Sequence, residues 1–560
     1  MKNKICRFLL KALFLFLLFI HPVYTHAVQT SVDFWSDIAP EKLSLQIADS
    51  MTDEELLAQI LMFGWAGTEP SALLKQWVTQ RGLGSVKVFG WNTDNIHQVA
   101  SSISTLQKMS ASGRFKIPLF VATDQEGGWI RHVKGSTSET PGNMAVGASG
   151  YPVDAYYSGY YINREIRALG INMNFAPVVD LYTNLDSSVI GPRSFSSDPE
   201  SAAILAQAFA KGSVDAGVIP TAKHFPGHGD TSLDSHGKLP QIDIDYSVWQ
   251  KRELVPFSSL IKSKIPAIMS GHLSYPQIDT SGTPASLSKF FLTDILRKRL
   301  GYEGLIITDD MMMNGATQFA GSLTKSFTMA IEAGNDIIIS SSTAGLNDQL
   351  WVQNLALMRS EDSFRERVKD AARRVIFSKL VYFKGSNAAP LYPDETDIDS
   401  LIPDREGQKF FLEQACRSIS LYKSGSLIPL KPKSGEKVLI AGPYVSLYAQ
   451  GRKRYPKAYT YYISGDLKGD DIAAAASSYD VIVFCVYDRQ SANILKRLRG
   501  IGKKVVVLSI MSPVPVLSGF DWVDSILCGY SYSEYTFNAL FAALNGEIKP
   551  KGTVPLSTNR

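Results

Sequence analysis

Between residues 40 and 380 the chain alternates short apolar runs with longer segments of helical character, and it does so eight times. The apolar runs fall at 60–64, 84–89, 118–123, 172–179, 218–223, 267–272, 305–309 and 336–340, and 201–216 and 322–333 are examples of the segments that follow them. Strands buried on both faces read as continuous apolar runs, and a strand-then-helix repeat builds a parallel sheet covered by helices. Eight such repeats close the sheet into a (β/α)8 barrel. The expected fold is therefore α/β, beginning with a TIM-like barrel. Closure puts the C-terminal ends of all strands on one rim, which is where such barrels carry their catalytic residues.

Polar residues crowd that expected rim. The third run ends in Asp124-Gln125-Glu126-Gly127-Gly128, the fourth in Asp180, the fifth in Lys223-His224, the sixth in Gly271-His272 and the seventh in Asp309-Asp310. The fifth opens into KHFPGHGDTSLDSH, residues 223–236, which concentrates His224, His228 and His236 with Asp230 and Asp234.

After Arg374 the pattern changes. Lys384-Gly385-Ser386-Asn387 and the proline- and aspartate-rich stretch 390–403 read as a linker, and a second α/β pattern follows. Strands are expected at 437–442, 480–486, 503–510 and 524–528, helices at 407–418 and 533–545, and a small helix in the alanine-rich 473–478. The expected layout is a leader over 1–27, the barrel over 28–385, a linker over 386–405 and a C-terminal doubly wound α/β sandwich over 406–560. Gly442-Pro443-Tyr444 is not a dinucleotide fingerprint, and no histidine falls in the C-terminal pattern. A structural or binding role is expected there.

The first residues have the grammar of a secretory signal. Lys2, Lys4 and Arg7 precede an apolar run at 8–20 broken only by Lys11, and Thr25-His26-Ala27 offers a small-residue cleavage site. The run is short for a span of roughly 20 residues, so a secreted or periplasmic protein is expected, anchored to a membrane only if the leader is retained. The 57 basic and 53 acidic residues of the whole chain give a net charge of +4, all of it carried by the leader's four cations. The remainder is balanced, which removes the electrostatic footing for a nucleic-acid partner. Cys416, Cys485 and Cys528 follow the leader without metal-ligand spacing. An odd number is no disulfide framework, and one bridge among them stays open.

Two features of the rim carry chemistry. Asp309 follows the buried run Gly304-Leu305-Ile306-Ile307-Thr308, so its carboxylate is held rigidly and directed at the rim, as a nucleophile requires. Asp310 then serves the local structure as a helix cap would, and the reverse order stays open. On the long loop, Asp234 and His236 stand two apart, close enough for the carboxylate to fix the imidazole tautomer and raise the basicity of its other nitrogen. That makes His236 a candidate general acid and base. The same residues also admit a metal reading, because His224 and His228 have H-x3-H spacing with Asp230, Asp234 and His272 nearby. Pro226 and Gly227 break the helix on which that spacing presents both ligands to one ion.

The stretch KHFPGHGDTSLDSH, with DQEGG at 124–128, GPRSFSSDP at 191–199 and GLIITDD at 304–310, resembles glycoside hydrolase family 3, and more narrowly its bacterial β-N-acetylglucosaminidases. The resemblance implies retention through a covalent glycosyl-enzyme intermediate, with Asp309 as nucleophile, His236 as acid and base, and Asp234 as its orienting partner. It also implies that Asp124, Arg193, Lys223 and His224 hold the terminal sugar. The physics agrees, since a carboxylate accepts from two hydroxyls while Arg and Lys donate to hydroxyl or acetamido oxygens. A histidine acid departs from the usual pair of carboxylates. A neutral imidazole does not repel an anionic acceptor, so phosphorolysis is conceivable beside hydrolysis. Where the family often has arginines after DQEGG, this chain has Trp129 and His132, which opens the question of its reducing-side sugar contacts.

The function expected is removal of terminal N-acetylglucosamine from peptidoglycan fragments or chitooligosaccharides, with no metal or organic cofactor and a carbohydrate as the partner. The alternatives are a β-glucosidase or β-xylosidase of the same family, a metal-dependent barrel hydrolase, and a non-catalytic carbohydrate-binding protein.

Overall fold

The computed structural model describes residues 32–187, 189–233, 237, 239–464 and 469–557. The expected leader over 1–27 and the loop residues Asp234 and His236 lie outside the described residues.

The first domain is built on β1 (Leu61–Phe63), β2 (Ser85–Lys87), β3 (Phe120–Thr123), a small ribbon of β4 (Gln125–Gly127) and β5 (Ile130–Arg131), then β6 (Met173–Asn174), β7 (Ile219–Phe225), β8 (Ala267–Ser270), β9 (Leu305–Thr308) and β10 (Ile338–Ser340). Leaving out the ribbon, the order β10-β1-β2-β3-β6-β7-β8-β9 is parallel throughout. A bridge between Ile307 and Ile337 joins β9 to β10 and closes the barrel. All eight strands arise where the apolar runs stand. The fourth is shorter than its run because Pro177 has no N–H to give the ladder, and only an isolated Val178–Lys223 bridge continues it.

Helices cover the outside. Pro199–Asp215 starts at Asp198, whose carboxylate caps it by accepting from the Ser201 N–H at 2.8 Å. The long helix Asp362–Phe383 turns Phe364, Val368, Ala372 and Ile376 onto the strands, a 3.6-residue stripe. Among the described residues no helix is long and apolar enough to cross a membrane.

The second domain is a six-stranded sheet ordered β11 (Ser420–Lys423), β16 (Ser525–Cys528), β15 (Lys504–Ser509), β14 (Val481–Val486), β12 (Val438–Gly442) and β13 (Tyr459–Tyr462). Only the β11–β16 pair is antiparallel. Alternate residues of the central strands enter two apolar layers: Ile482 and Phe484 on one side, Val481, Val483 and Cys485 on the other. Helices pack on both faces, a doubly wound sandwich. Cys416, Cys485 and Cys528 are free thiols. The alanine-rich helix begins earlier than its composition suggests, at Gly469–Ala476.

The two domains share a core. Met144, Ala145, Ala148 and Tyr182 of the barrel join the apolar layer that holds Ile526, Cys528 and Tyr530. Arg417 grips buried Asp154 through bonds of 2.6 to 3.1 Å. The stretch between the domains is packed as well: Ile398 and Ile402 are buried in the barrel's core, and the Asp404 N–H donates to Glu165 at 2.8 Å.

Candidate active site

The site starts from an irregularity in β7. Thr221 and Ala222 pair with Ala267 and Ile268, but the next pair is Phe225 with Ser270, so Lys223 and His224 oppose the single residue Met269. In a regular strand neighbouring side chains point to opposite faces. The bulge removes that alternation, and both side chains reach groups of the barrel mouth. Lys223 meets Asp124 at the end of β3, and His224 meets Asp180 beyond β6.

Around Lys223 lies a cluster of five charges. Its ammonium is 2.6 Å from Asp124 Oδ1 and 2.7 Å from Glu126 Oε1. Lys87, from β2, holds the other oxygen of Asp124 at 2.9 Å. Arg193 forks onto Glu126 with bonds of 2.9 and 2.8 Å. Burial disfavours charge on both carboxylates, but Lys223 and Lys87 pull Asp124 well below the usual range, and Arg193 and Lys223 pull Glu126 down. Burial likewise works against charge on Lys223, and Asp124 and Glu126 outweigh it to raise its pKa. Asp124, Glu126 and Lys223 are therefore each held in the charged form. Asp124 uses two of its roughly four acceptor positions on the lysines, leaving acceptors for a pair of sugar hydroxyls.

A second group lies across the mouth. Asp180 accepts from His224 Nδ1 at 2.6 Å and from the His228 N–H at 2.7 Å, tying the loop's first turn to the barrel. Asp309 follows β9, its N–H bonded to the Ser270 carbonyl at 2.9 Å and its Oδ1 accepting the Asp310 N–H at 2.8 Å. Burial raises its pKa, but His224, His272, the Asp310 N–H and Lys87 together take it down to about 2. Asp310 instead accepts from the Met312 and Ser341 N–H groups at 3.1 and 3.0 Å, which is local structural work. His272 is buried between Ser286 Oγ at 2.7 Å and the Asp310 carbonyl at 3.0 Å.

Of the residues singled out in the sequence, Asp124, Arg193 and Lys223 come together through Glu126, and His224 acts electrostatically on Asp309. Asp234 and His236 lie outside the described residues. Arg193 pairs with Glu126, while nearby Asp198 is occupied as a helix cap. Asp230, one of the groups in the metal reading, is held by Arg252, and among the described residues no three His, Cys, Asp or Glu side chains are grouped to hold a metal ion. Sequence reasoning missed Lys87 and the keystone Glu126. Lys87 had a signal, since a lysine inside a buried strand is rare unless paired.

A closed parallel barrel that presents on one rim an ionised aspartate, a second carboxylate with acceptor positions to spare and a basic fork is built to hold and attack a polar substrate at its mouth. Residues 51–377 match the Glycosyl hydrolase family 3 N terminal domain. Beta-hexosaminidase A of Pseudoalteromonas piscicida is 37% identical over an alignment that covers 87% of this chain and 91% of that one. The chain belongs to glycoside hydrolase family 3, and is a glycoside hydrolase. A Beta-hexosaminidase of Tolumonas auensis is 35% identical over 50% of this chain and 81% of its own length. Among solved structures, a glycoside hydrolase family 3 beta-N-acetylglucosaminidase from Paenibacillus sp. str. FPU-7 superposes with a TM-score of 0.82 at 28% identity, over 91% of this chain and 99% of that one.

Proposed function

We propose that the chain is a retaining, exo-acting β-N-acetylglucosaminidase that removes terminal N-acetylglucosamine from chitooligosaccharides or peptidoglycan fragments. The observation that carries this reading is Asp309: a carboxylate at a rigid strand end, ionised down to about pH 2, with Lys87 acting on both it and Asp124. The names of the relatives at 37% and 35% identity point to a hexosamine, and that of the Paenibacillus structure at 28% identity to N-acetylglucosamine. Asp124 accepts hydroxyls of the terminal sugar, while Lys223, Arg193 and His224 fix its position. Asp309 attacks the anomeric carbon as the bond to the leaving oxygen breaks, and His236, oriented by Asp234, protonates that oxygen. In the second half the neutral imidazole takes a proton from water, which displaces Asp309 and releases the sugar with its original anomeric configuration. Expected sites of action are the periplasm or the medium, through the leader at 1–27.

The test is release of aglycone from an aryl N-acetyl-β-glucosaminide, with the first-formed anomer followed by NMR in water and in phosphate. Asp309→Ala is expected to abolish release and His236→Ala to lower it strongly, with the β-anomer formed first. Full activity in Asp309→Ala sinks the nucleophile assignment. Turnover of glucosides or xylosides in preference to the acetamido sugar moves the chain to the β-glucosidase reading. Loss of activity with a chelator, restored by zinc, favours metal chemistry.

A further inference from the structure

We infer that Arg252 is a positioning residue for the reaction: by holding Asp230 it fixes the direction in which the chain leaves the barrel mouth toward His236. This role rests on the reading of His236 as acid and base. It extends the working machinery to two side chains outside the sugar grip.

The chain after β7 is tied to the barrel residue by residue. The Pro226 carbonyl accepts from the Trp249 ring N–H at 3.0 Å, and the Gly227 carbonyl from the Tyr275 hydroxyl at 2.5 Å. The His228 N–H donates to Asp180 at 2.7 Å, and the Gly229 carbonyl accepts from the Asn184 N–H at 3.3 Å. Each of these ties uses the backbone of the loop. Asp230 is held by its own side chain, on Nη2 of Arg252, and among the described residues it is the tie to the barrel that stands closest before His236 in the sequence. Beyond His236 the chain is tied again at Pro240, whose carbonyl accepts from the Ser274 N–H at 2.9 Å. A glycine leaves many backbone directions open, so Gly229 alone does not set the course of the chain beyond it. The grip on Asp230 does.

Arg252 is itself firmly placed. It stands between the helices Tyr246–Lys251 and Leu254–Lys262, whose Trp249, Leu254, Phe257 and Leu260 are buried in an apolar core of the barrel. Its Nε donates to Glu253 Oε2 at 2.6 Å while Nη2 faces Asp230. A guanidinium is planar, so a carboxylate on Nε fixes the plane and with it the direction of the Nη2 donor. Glu253 is buried against the loop, since a Cβ added at Gly227 would stand 2.9 Å from its Cβ. Glu253, Arg252 and Asp230 thus run as one chain of contacts from packed helices to the loop. An acid must stand within hydrogen-bond reach of the leaving oxygen, and a misplacement of about 1 Å costs up to about 100-fold in rate. Side chains that aim the backbone a few residues before His236 bear directly on that distance.

The test uses the full chain and compares kcat/KM for phenyl and 2,4-dinitrophenyl N-acetyl-β-glucosaminide. Phenolate is a poor leaving group that needs the acid's proton, whereas dinitrophenolate departs without it. The ratio therefore reads the placement of the acid, not the sugar grip or the amount of folded protein, and His236→Ala sets its scale. In Arg252→Ala and in Asp230→Asn the phenyl value is expected to fall at least about tenfold, with the dinitrophenyl value within about threefold of the parent's. Arg252→Lys should recover part of the loss, and the double variant Arg252→Ala, Asp230→Asn should fall no further than the larger single effect. An unchanged ratio in Asp230→Asn, a change of charge without a change of shape, overturns the positioning role, as does an equal loss on both substrates. An unchanged ratio in His236→Ala refutes the acid assignment and the positioning role with it. A changed ratio in His236→Ala beside an unchanged one in Asp230→Asn refutes the positioning role alone.

Discussion

Glu126→Gln asks whether the sugar grip is one electrostatic unit. Glu126 is 2% exposed and accepts two bonds from the Arg193 fork at 2.9 and 2.8 Å and one from Lys223 at 2.7 Å. Glutamine preserves shape and one acceptor oxygen, but the other oxygen becomes an NH2 facing donors. Hydrogen bonds to charged groups contribute about 1.5–3 kcal/mol each and neutral ones about 1 kcal/mol. Losing one bond and the charge on the other two therefore costs at least about 3 kcal/mol. Arg193 suffers more than Lys223, because Lys223 keeps Asp124 as a counter-ion while Arg193 loses its own and remains largely enclosed. If that cost falls on the positioned state, kcat/KM for an aryl N-acetyl-β-glucosaminide drops roughly 100-fold. The urea midpoint of the barrel also falls. A variant whose kcat/KM stays within threefold of the parent's, at unchanged stability, refutes the idea that Glu126 holds the two cations in place.

Three further outcomes follow from particular contacts. His228 is buried with no hydrogen-bond partner on either ring nitrogen among the described residues, and burial and then His224 depress its pKa to about 4. Its folded pKa lies below the unfolded value of about 6.5, so its stability contribution is whole above that value and is lost as pH falls toward 4. The loss is about 3 kcal/mol. His132 and His272, also lowered, act in the same sense, while Glu165 and Glu253, raised by burial, oppose them. His228→Leu should flatten the fall of the urea midpoint between pH 6.5 and 4, and an unchanged slope rejects the account. Gly229→Ala places a Cβ 1.6 Å from the Leu181 carbonyl oxygen. Overpacking of about 1–3 kcal/mol displaces the loop and lowers kcat/KM at least about tenfold, and normal turnover contradicts it. Arg417→Ala strands the buried Asp154 carboxylate and should reduce stability by about 3 kcal/mol, read as an earlier unfolding transition. Arg417→Lys should recover part of that loss.

The barrel was legible because its strands are continuous apolar runs, and a run buried on both faces can be read without knowing its neighbours. Ser420–Lys423 and Tyr459–Tyr462 escaped notice for the opposite reason. They are edge strands whose tyrosines and lysine stay partly exposed, so they leave no apolar signature. The site was legible in part. Asp124, Lys223 and Asp309 stand at ends of readable runs, whereas Lys87 and Glu126 acquire meaning only from partners far along the chain.

By itself, then, the sequence determined the alternation that makes a parallel barrel, the shared rim, and the chemical types gathered on it, since each follows from neighbours within a few residues. Only the tertiary structure decided who pairs with whom. Lys87, Asp124, Glu126, Arg193 and Lys223 come from separate strand ends and loops, and the bulge in β7 sends both Lys223 and His224 into the mouth. Those pairings depend on strand order and closure. The same holds for the cavity lined by Trp129 of the barrel and by Tyr487 and Ser512 of the second domain, more than three hundred residues away in the chain: an interaction that long exists only after both cores have formed.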